Sequence, residues 1–269
     1  MIDYGRFAER LAAQRANPDP ARRWDLYREF HAEWGFRPVR EPEALSGYIA
    51  DLVGEAGTDD PEEDPGIPEA LAEWWVLPEN SWLYAELDES SAHWPPRWWS
   101  PDGGDVRLLA PDSPLAVPGS DDLRTVAFMA EAQYTQEWGY LSAQSTVADP
   151  QVLVTEGEEW EPVAPTLSEF ALLLAAVRVP AGFGWQAYPG GGEDEIVARV
   201  QLHWPPLGLP TWRECGAQLT LYGGPDAVIV VDEGWGDYPF RLCTRTREAA
   251  ELMIDRLGGS DWSLFEPEQ

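Results

Sequence analysis

The spacing of apolar residues changes along this chain, and that change constrains its fold more than any other feature. Near the N-terminus apolar side chains recur three and four residues apart, as in Tyr4, Phe7 and Leu11, which is typical of an amphipathic helix. Later runs are short and rich in β-branched and aromatic residues, so that 123–131 and 133–141 are predicted strands. Because helices and strands dominate different stretches, the sequence predicts an α+β fold.

Glycine and proline mark the ends of further helices. A second helix is predicted over 24–34, and a third between residues 42 and 54. A short helix after Pro68 is predicted to bury Ile67 and Trp75. The segment that follows it is predicted to be irregular over residues 78–118, with residues 81–87 and 106–110 as the candidates for short strands within it.

The second half of the chain begins with a capping box. Thr166 and Glu169 have the T-x-x-E spacing that opens a helix, and Pro180 is predicted to end that helix. Four short strands are then predicted, over residues 183–188, 196–202, 218–222 and 227–231. The last two form a hairpin through the four-residue loop 223–226, and a helix over 247–257 closes the chain.

These elements divide the chain into three segments. Residues 1–56 are an N-terminal helical segment, 57–180 an α+β core, and 181–269 a β-rich unit with a closing helix. The first boundary falls at the charged, Pro- and Gly-containing loop 55–66. The pattern also allows all three segments to pack as one domain.

Acidic residues outnumber basic ones very unevenly. The chain has 48 Asp and Glu against 18 Arg and no Lys, a net charge of −30. Residues 1–40 carry a net +2, residues 41–160 a net −23, and residues 161–269 a net −9. Such a field repels nucleic acid and anionic membranes and attracts a basic partner. The same acidity also keeps a Trp-rich protein soluble, so it is not by itself proof of an interface.

Targeting and redox signals favour the cytoplasm. Met1 leads straight into charged residues, without the apolar stretch of a secretory signal, and no run is long enough to span a bilayer. The two cysteines, Cys215 and Cys243, are too few for a disulfide framework.

Motifs that carry catalysis are missing from the sequence. The three histidines, His31, His93 and His203, have no metal-ligand spacing with one another or with cysteine. There is no G-x-S-x-G or C-x-x-C motif, and the absence of Lys excludes a P-loop or a Schiff base. The sequence therefore predicts a non-catalytic protein without a metal or cofactor.

Acidic and Trp residues of the middle segment are the candidates for partner binding. Six Trp fall between Trp74 and Trp99, a density that suits an interface, a sugar-stacking platform or a core poor in regular elements. An acidic run over 59–64 suits a basic partner, weak cation binding or a solvated loop. The candidate residues are Asp59, Asp60, Glu62, Glu63, Asp64, Trp94, Trp98, Trp99, Asp102 and Asp105.

A succession of short motifs between residues 60 and 180 resembles the SUKH superfamily. The family strand motif E-N-Q-G, followed by an aromatic residue and Trp, is matched at Glu131, Gln133 and Trp138, with departures at Ala132 and Tyr134. The motif D-P-P-V-W-V is matched in part from Asp149 and Pro150 onward. A Trp at position 160 and the helix containing Phe170 complete the order. The segment from Tyr222 to Ala249 is similar to the tail of the high-GC bacterial branch.

This resemblance implies a central, mostly antiparallel sheet flanked by helices, and motif residues with structural roles. It also implies no known catalytic residues and, in many bacterial members, a role in neutralising a toxin, often a nuclease. An immunity protein whose acidic surface meets a basic toxin is therefore the leading expectation. A regulatory or scaffold protein of the same family is the first alternative. A carbohydrate-binding module using Trp94, Trp98 and Trp99 is the second.

Overall fold

A computed structural model provides the fold of the chain. The residues it describes are 1–38, 66–81, 91–97, 108–110, 112–131, 135–157, 159–234, 239–259 and 261–267. The predicted helix between residues 42 and 54 lies outside them. Within the described ranges, none of the helices combines the length and apolar character that crossing a bilayer requires.

Helices and antiparallel strands make up the described residues, so the predicted α+β class is confirmed. The α-helices are α1 (Phe7–Arg15), α2 (Asp25–Glu33), α3 (Glu69–Val76), α4 (Leu167–Phe183), α5 (Glu193–His203) and α6 (Arg247–Leu257). The strands are β1 (Ser91–Arg97), β2 (Thr125–Glu131), β3 (Glu137–Leu141), β4 (Val152–Glu156), β5 (Glu159–Ala164), β6 (Trp185–Pro189), β7 (Trp212–Glu214), β8 (Ala217–Gly224), β9 (Ala227–Asp232), β10 (Phe240–Thr244) and β11 (Trp262–Phe265).

Two compact units share these elements. Unit 1 contains residues 1–37 and 171–269, and unit 2 contains residues 38–170. Each unit has its own antiparallel sheet, with strand order β1-β2-β3-β4-β5 in unit 2 and β11-β6-β10-β9-β8-β7 in unit 1. The N-terminal helices thus belong with the C-terminal sheet, whereas the sequence divides the chain after residues 56 and 180.

An aromatic cluster forms the centre of unit 2. Trp138 and Tyr140 alternate onto one face of β3, and the first turn of α4 places Phe170 against that face. The Phe170 ring centroid lies 5.5 Å from that of Phe128 and 6.3 Å from that of Trp74, both edge-on. All of these side chains are fully buried, so this cluster is the hydrophobic core that joins α3 and α4 to the sheet.

A glycine lets β2 and β3 approach closely. A Cβ atom on Gly139 would lie 2.3 Å from the carbonyl oxygen of Val126. The register between these strands shifts between Ala127 and Met129, which brings that carbonyl over position 139. Only glycine fits there without displacing the backbone.

The sheet of unit 1 packs against α5 and α6. Ile229 and Val231 of β9, Ile196 of α5 and Met253 of α6 share one buried cluster. All six residues of β9 are buried, which is typical of a central strand covered on both faces. The continuous apolar run at 227–231 therefore indicates a strand at the centre of the sheet.

The N-terminal segment of unit 1 crosses the β8–β9 hairpin. Tyr4, Phe30 and Trp34 pack ring against ring, and Gly223 lies beneath the chain at Tyr4. A Cβ atom on Gly223 would come within 2.0 Å of the Tyr4 carbonyl oxygen. The hairpin needs glycine here because another backbone passes over it.

Several predicted elements are wrong in unit 1. Residues 196–202 form part of α5 rather than a strand, and α4 continues past Pro180 to Phe183, so the strand predicted over 183–188 begins only at Trp185. The hairpin loop has two residues, Pro225 and Asp226, since Gly224 already pairs with Ala227.

In unit 2 the differences are smaller. The strand predicted to begin at residue 133 begins at Glu137. Strand β1 lies within the stretch 78–118, which was predicted to be irregular. Ile67 was predicted to be buried with α3, yet 40% of its surface is exposed.

Candidate partner-binding surface

Most of the candidate partner-binding residues lie outside the described ranges. This applies to Asp59, Asp60, Glu62, Glu63, Asp64, Trp98, Trp99, Asp102 and Asp105. Trp94 lies in β1, in the irregular part of its pairing with β2 between His93 and Arg97. The net charge of unit 2 and its described side chains therefore define the candidate surface.

Negative charge is concentrated in unit 2. Residues 38–170 contain 28 acidic residues and four Arg, a net charge of −24. The residues of unit 1 contain 20 acidic residues and 14 Arg, a net charge of −6. The imbalance follows the division between the two units, so the net negative charge belongs mainly to unit 2.

The described side chains of unit 2 show the same imbalance. Twelve of them are acidic and one, Arg124, is basic. Arg124 is bound at 2.8 Å to Asp122. The exposed acidic residues of this set are Glu69, Asp112, Asp121 and Glu159. Acidic side chains thus greatly outnumber basic ones on the described part of unit 2, and a partner approaching it meets mainly carboxylates.

Asp122 is held in the ionised state by its neighbours. Hydrogen bonds from the Arg124 guanidinium, and a further one of 2.8 Å from the Ser142 hydroxyl, keep the pKa of Asp122 well below its usual range. This carboxylate fixes the start of β2 beside the end of β3 and has a structural role.

Glu131, the first residue of the resemblance motif, closes the turn between β2 and β3. It is only 5% exposed, and its carboxylate accepts hydrogen bonds from the Thr135 backbone N–H (2.6 Å) and the Thr135 hydroxyl (2.8 Å). The adjoining Gln136 donates to the Thr155 carbonyl on β4 (3.2 Å). A carboxylate at this position organises the hairpin from within, while Gln133 lies outside the described residues.

The other motif residues also build the core. Trp138 and Phe170 belong to the aromatic cluster, and Trp160 packs with Leu153 on the opposite side of the sheet. Asp149 accepts from the Ser168 N–H (2.9 Å) and hydroxyl (2.6 Å), which anchors the N-terminal end of α4. One bond of the predicted capping box is present beside it, since the Glu169 N–H donates to the Thr166 hydroxyl at 3.2 Å. Pro150, next to Asp149, is buried.

Two titratable side chains of unit 1, His31 and Cys243, are buried in the interior. His31 is fully buried in unit 1, and burial lowers its pKa to about 4, opposed by the hydrogen bond of its Nδ1 to the Tyr27 carbonyl. Burial likewise raises the pKa of the Cys243 thiol. Among the described residues, no group of three or more His, Cys, Asp and Glu side chains is placed to hold a metal ion.

Three exposed aliphatic residues of unit 2, Ile67, Leu108 and Val147, were not predicted as surface candidates. Leu108 is 61% exposed and precedes the segment that leads into β2. Ile67 and Val147 are 40% and 45% exposed, and they precede α3 and β4 respectively. Helical spacing placed Ile67 with the core, and Val147 lies in a polar stretch without a periodic pattern. A signal was nevertheless present at residue 67, because a position before the first turn of a helix does not follow the helical period.

Comparisons with known proteins identify no relative of this chain. The sequence matches no family model and no curated protein, and the fold matches no solved structure. The function of this surface therefore has to follow from its own residues and charges.

Proposed function

We propose that this chain is a non-catalytic, immunity-type protein of the SUKH superfamily that neutralises a basic, nuclease-type toxin in the cytoplasm. The observation that carries the proposal is the net charge of −24 on unit 2, against −6 on unit 1. A strong field of one sign accelerates the encounter with an oppositely charged protein and favours one class of partner over others.

A nuclease is a fitting partner for such a surface. Nuclease domains hold the phosphate backbone of their substrate with Arg and Lys. An acidic protein surface competes for those same cations, so binding and inhibition have one physical cause. Arg124, the one Arg of unit 2 whose side chain is described, is bound to Asp122, and it offers little repulsion to such a partner.

The roles of the motif residues also support the proposal. Glu131 and Asp149 organise the ends of elements, and Trp138 and Phe170 fill the core. Residues that resemble the family are thus engaged in the interior of unit 2. Recognition is left to exposed residues, which can vary while the fold is kept.

The test is a titration with the toxin domain encoded beside this gene, made inactive by substitution of its catalytic residue. We expect binding that weakens at least about tenfold between 50 and 300 mM NaCl, mainly through a slower association rate. The measurement is stopped-flow or surface plasmon resonance at each salt concentration. A missing interaction, or one indifferent to salt, would contradict the proposal.

Charge variants locate the effect on one unit. Neutralising three exposed acids of unit 2, D112N, D121N and E159Q, is expected to slow association by about three- to tenfold. The matched variant of unit 1 neutralises three exposed acids, E248Q, D255N and E266Q. Equal effects of the two triple variants would show that net charge alone, rather than unit 2, attracts the partner.

A further inference from the structure

Ile67 and Val147 lie on two neighbouring segments of unit 2. The Ala70 N–H donates to the Ala148 carbonyl at 2.8 Å, and a Cβ atom on Gly66 would lie 3.4 Å from the Cβ of Ser145. Residues 66–70 and 145–148 therefore run side by side. We define the 67/147 surface as the exposed residues of these two segments: Ile67, Glu69, Thr146, Val147 and Ala148.

Both segments are held in place by the interior of the unit. The Tyr140 hydroxyl, from the middle of β3, donates to the Gly66 carbonyl at 2.6 Å. The Val147 N–H donates to the Gln144 carbonyl at 2.9 Å. Asp149, immediately after the second segment, is tied to Ser168 of α4. The aliphatic side chains thus project from a backbone that is already ordered, which lowers the entropic cost of binding.

The charge around this surface is negative. Glu69 lies within it, and Glu73 follows one helical turn later on α3. The described basic side chain of the unit, Arg124, lies at the start of the β2 region and is bound to Asp122.

We infer that the 67/147 surface is the central contact for a basic protein partner, which places an apolar side chain between Lys or Arg residues on Ile67 and Val147. The choice of a basic partner rests on the proposed function. Energetic centres of interfaces combine a small apolar contact with a polar rim that excludes water. Here the aliphatic pair supplies the contact, and the net charge of −24 on unit 2 favours Lys and Arg around it.

The probe is a displayed library of random dodecapeptides, selected on the full-length immobilised protein. The enriched peptides are expected to carry an apolar residue flanked by Lys or Arg. Their affinities are then measured by fluorescence anisotropy for the wild-type protein, for I67S/V147S, and for L202S/L252S. Leu202 and Leu252 are exposed leucines of unit 1, 75% and 44% exposed, and serve as the matched control. Urea midpoints of both variants check that the fold is intact.

Loss of about tenfold or more in affinity with I67S/V147S, and no loss with L202S/L252S, would support the inference. Enrichment of acidic or uncharged peptides, equal binding to both variants, or no enrichment would overturn it. Failure of the toxin titration together with loss at I67S/V147S would reject the nuclease-type partner and keep the surface. Binding of the toxin domain unaffected by I67S/V147S would keep the proposed function and reject the surface.

Discussion

The two units have similar architecture and use charge differently. Each has an antiparallel sheet packed against helices. Unit 1 pairs its charges internally: Arg10 with Glu33, Arg178 with Glu214, and Arg245 with Asp226, at 2.6 to 2.8 Å. In unit 2 Asp122 is bound to Arg124, and the carboxylates of Glu131 and Asp149 accept hydrogen bonds from backbone N–H and hydroxyl groups.

The difference in net charge between the units determines which of them attracts a basic partner. Unit 1 has a small net charge because it carries 14 Arg against 20 acidic residues, and its ion pairs place opposite charges side by side. Unit 2 carries only four Arg against 28 acidic residues, so most of its negative charge is not balanced within the unit and gives a field that a basic partner would meet. The predictions below test whether the two units depend on different interactions.

The largest effect is expected from the aromatic core of unit 2. Phe170→Ala removes a fully buried ring that contacts Phe128 and Trp74, and should lower the free energy of unfolding by about 4 kcal/mol. The control, Phe265→Ala in unit 1, removes a ring that is 53% exposed and should cost below about 1 kcal/mol. Urea unfolding followed by Trp fluorescence measures both. Similar costs for the two variants would mean that Phe170 is not a core residue.

The second effect belongs to unit 1 and depends on pH. Because burial lowers the pKa of His31 to about 4, the unfolded chain, with a pKa near 6.5, binds its proton first as the pH falls. Stability should fall below about pH 6.5, losing about 2 kcal/mol by about pH 5, and the loss from this group should stop below about pH 4. His31→Gln should lack this component. Parallel stability profiles of wild type and variant between pH 7.5 and pH 5 would contradict the assignment.

The smallest losses of stability are expected for two carboxylates that are held differently. Asp226 is bound by Arg245, and Asp149 accepts hydrogen bonds from Ser168. Arg245 donates to Asp226 (2.7 Å) and to the Glu33 carbonyl (2.5 Å), and is 28% exposed. Its replacement by Gln should cost about 2 kcal/mol, reduced at high salt because the lost pair is partly exposed. Asp149→Asn keeps an acceptor for the Ser168 N–H and should cost about 1 kcal/mol or less, independent of salt.

Urea unfolding of both variants at 50 and 500 mM NaCl measures this difference. If D149N shows the stronger dependence on salt, unit 2 also relies on charge for its stability. The contrast between the units would then be lost.

Sequence patterns predicted the elements whose signals are local. The cap formed by the Thr166 hydroxyl, the closing helix and the hairpin around Pro225 are present because capping residues, helical spacing and turn residues act within a few positions of each other. The closing helix has the predicted bounds, the strands of the hairpin differ by one or two residues at their ends, and α4 ends three residues after Pro180. The strand ends depend on the partner strand, which local spacing does not identify.

The wrong predictions occur where packing overrides a local preference. Helix α5 contains β-branched residues, and for that reason its sequence predicts a strand. The three acidic residues at Glu193–Glu195 favour the start of a helix instead. Its Ile196 and Val200 are buried in the cluster of unit 1. Pro180 lies inside α4 although it removes a backbone donor. Burial of the residues around it, including Val179, offsets that cost.

The candidate surface could be predicted only in its charge. The excess of acidic residues between residues 41 and 160 follows directly from the sequence. The tertiary structure assigns most of them to unit 2, because residues 1–37 belong with the C-terminal sheet in unit 1. The exposure of Ile67 and Val147 could not be predicted, because it depends on how residues 66–70 and 145–148 meet.

By itself, the sequence determined the fold class, the capped helices and the total charge, since these depend on composition and on neighbours along the chain. Tertiary structure alone decided which segments share a unit, why Gly139 and Gly223 must be glycine, and which aliphatic side chains remain at the surface. These properties depend on backbones that meet across long sequence separations. Their contact geometry is set by the packing of whole sheets, which no local pattern encodes.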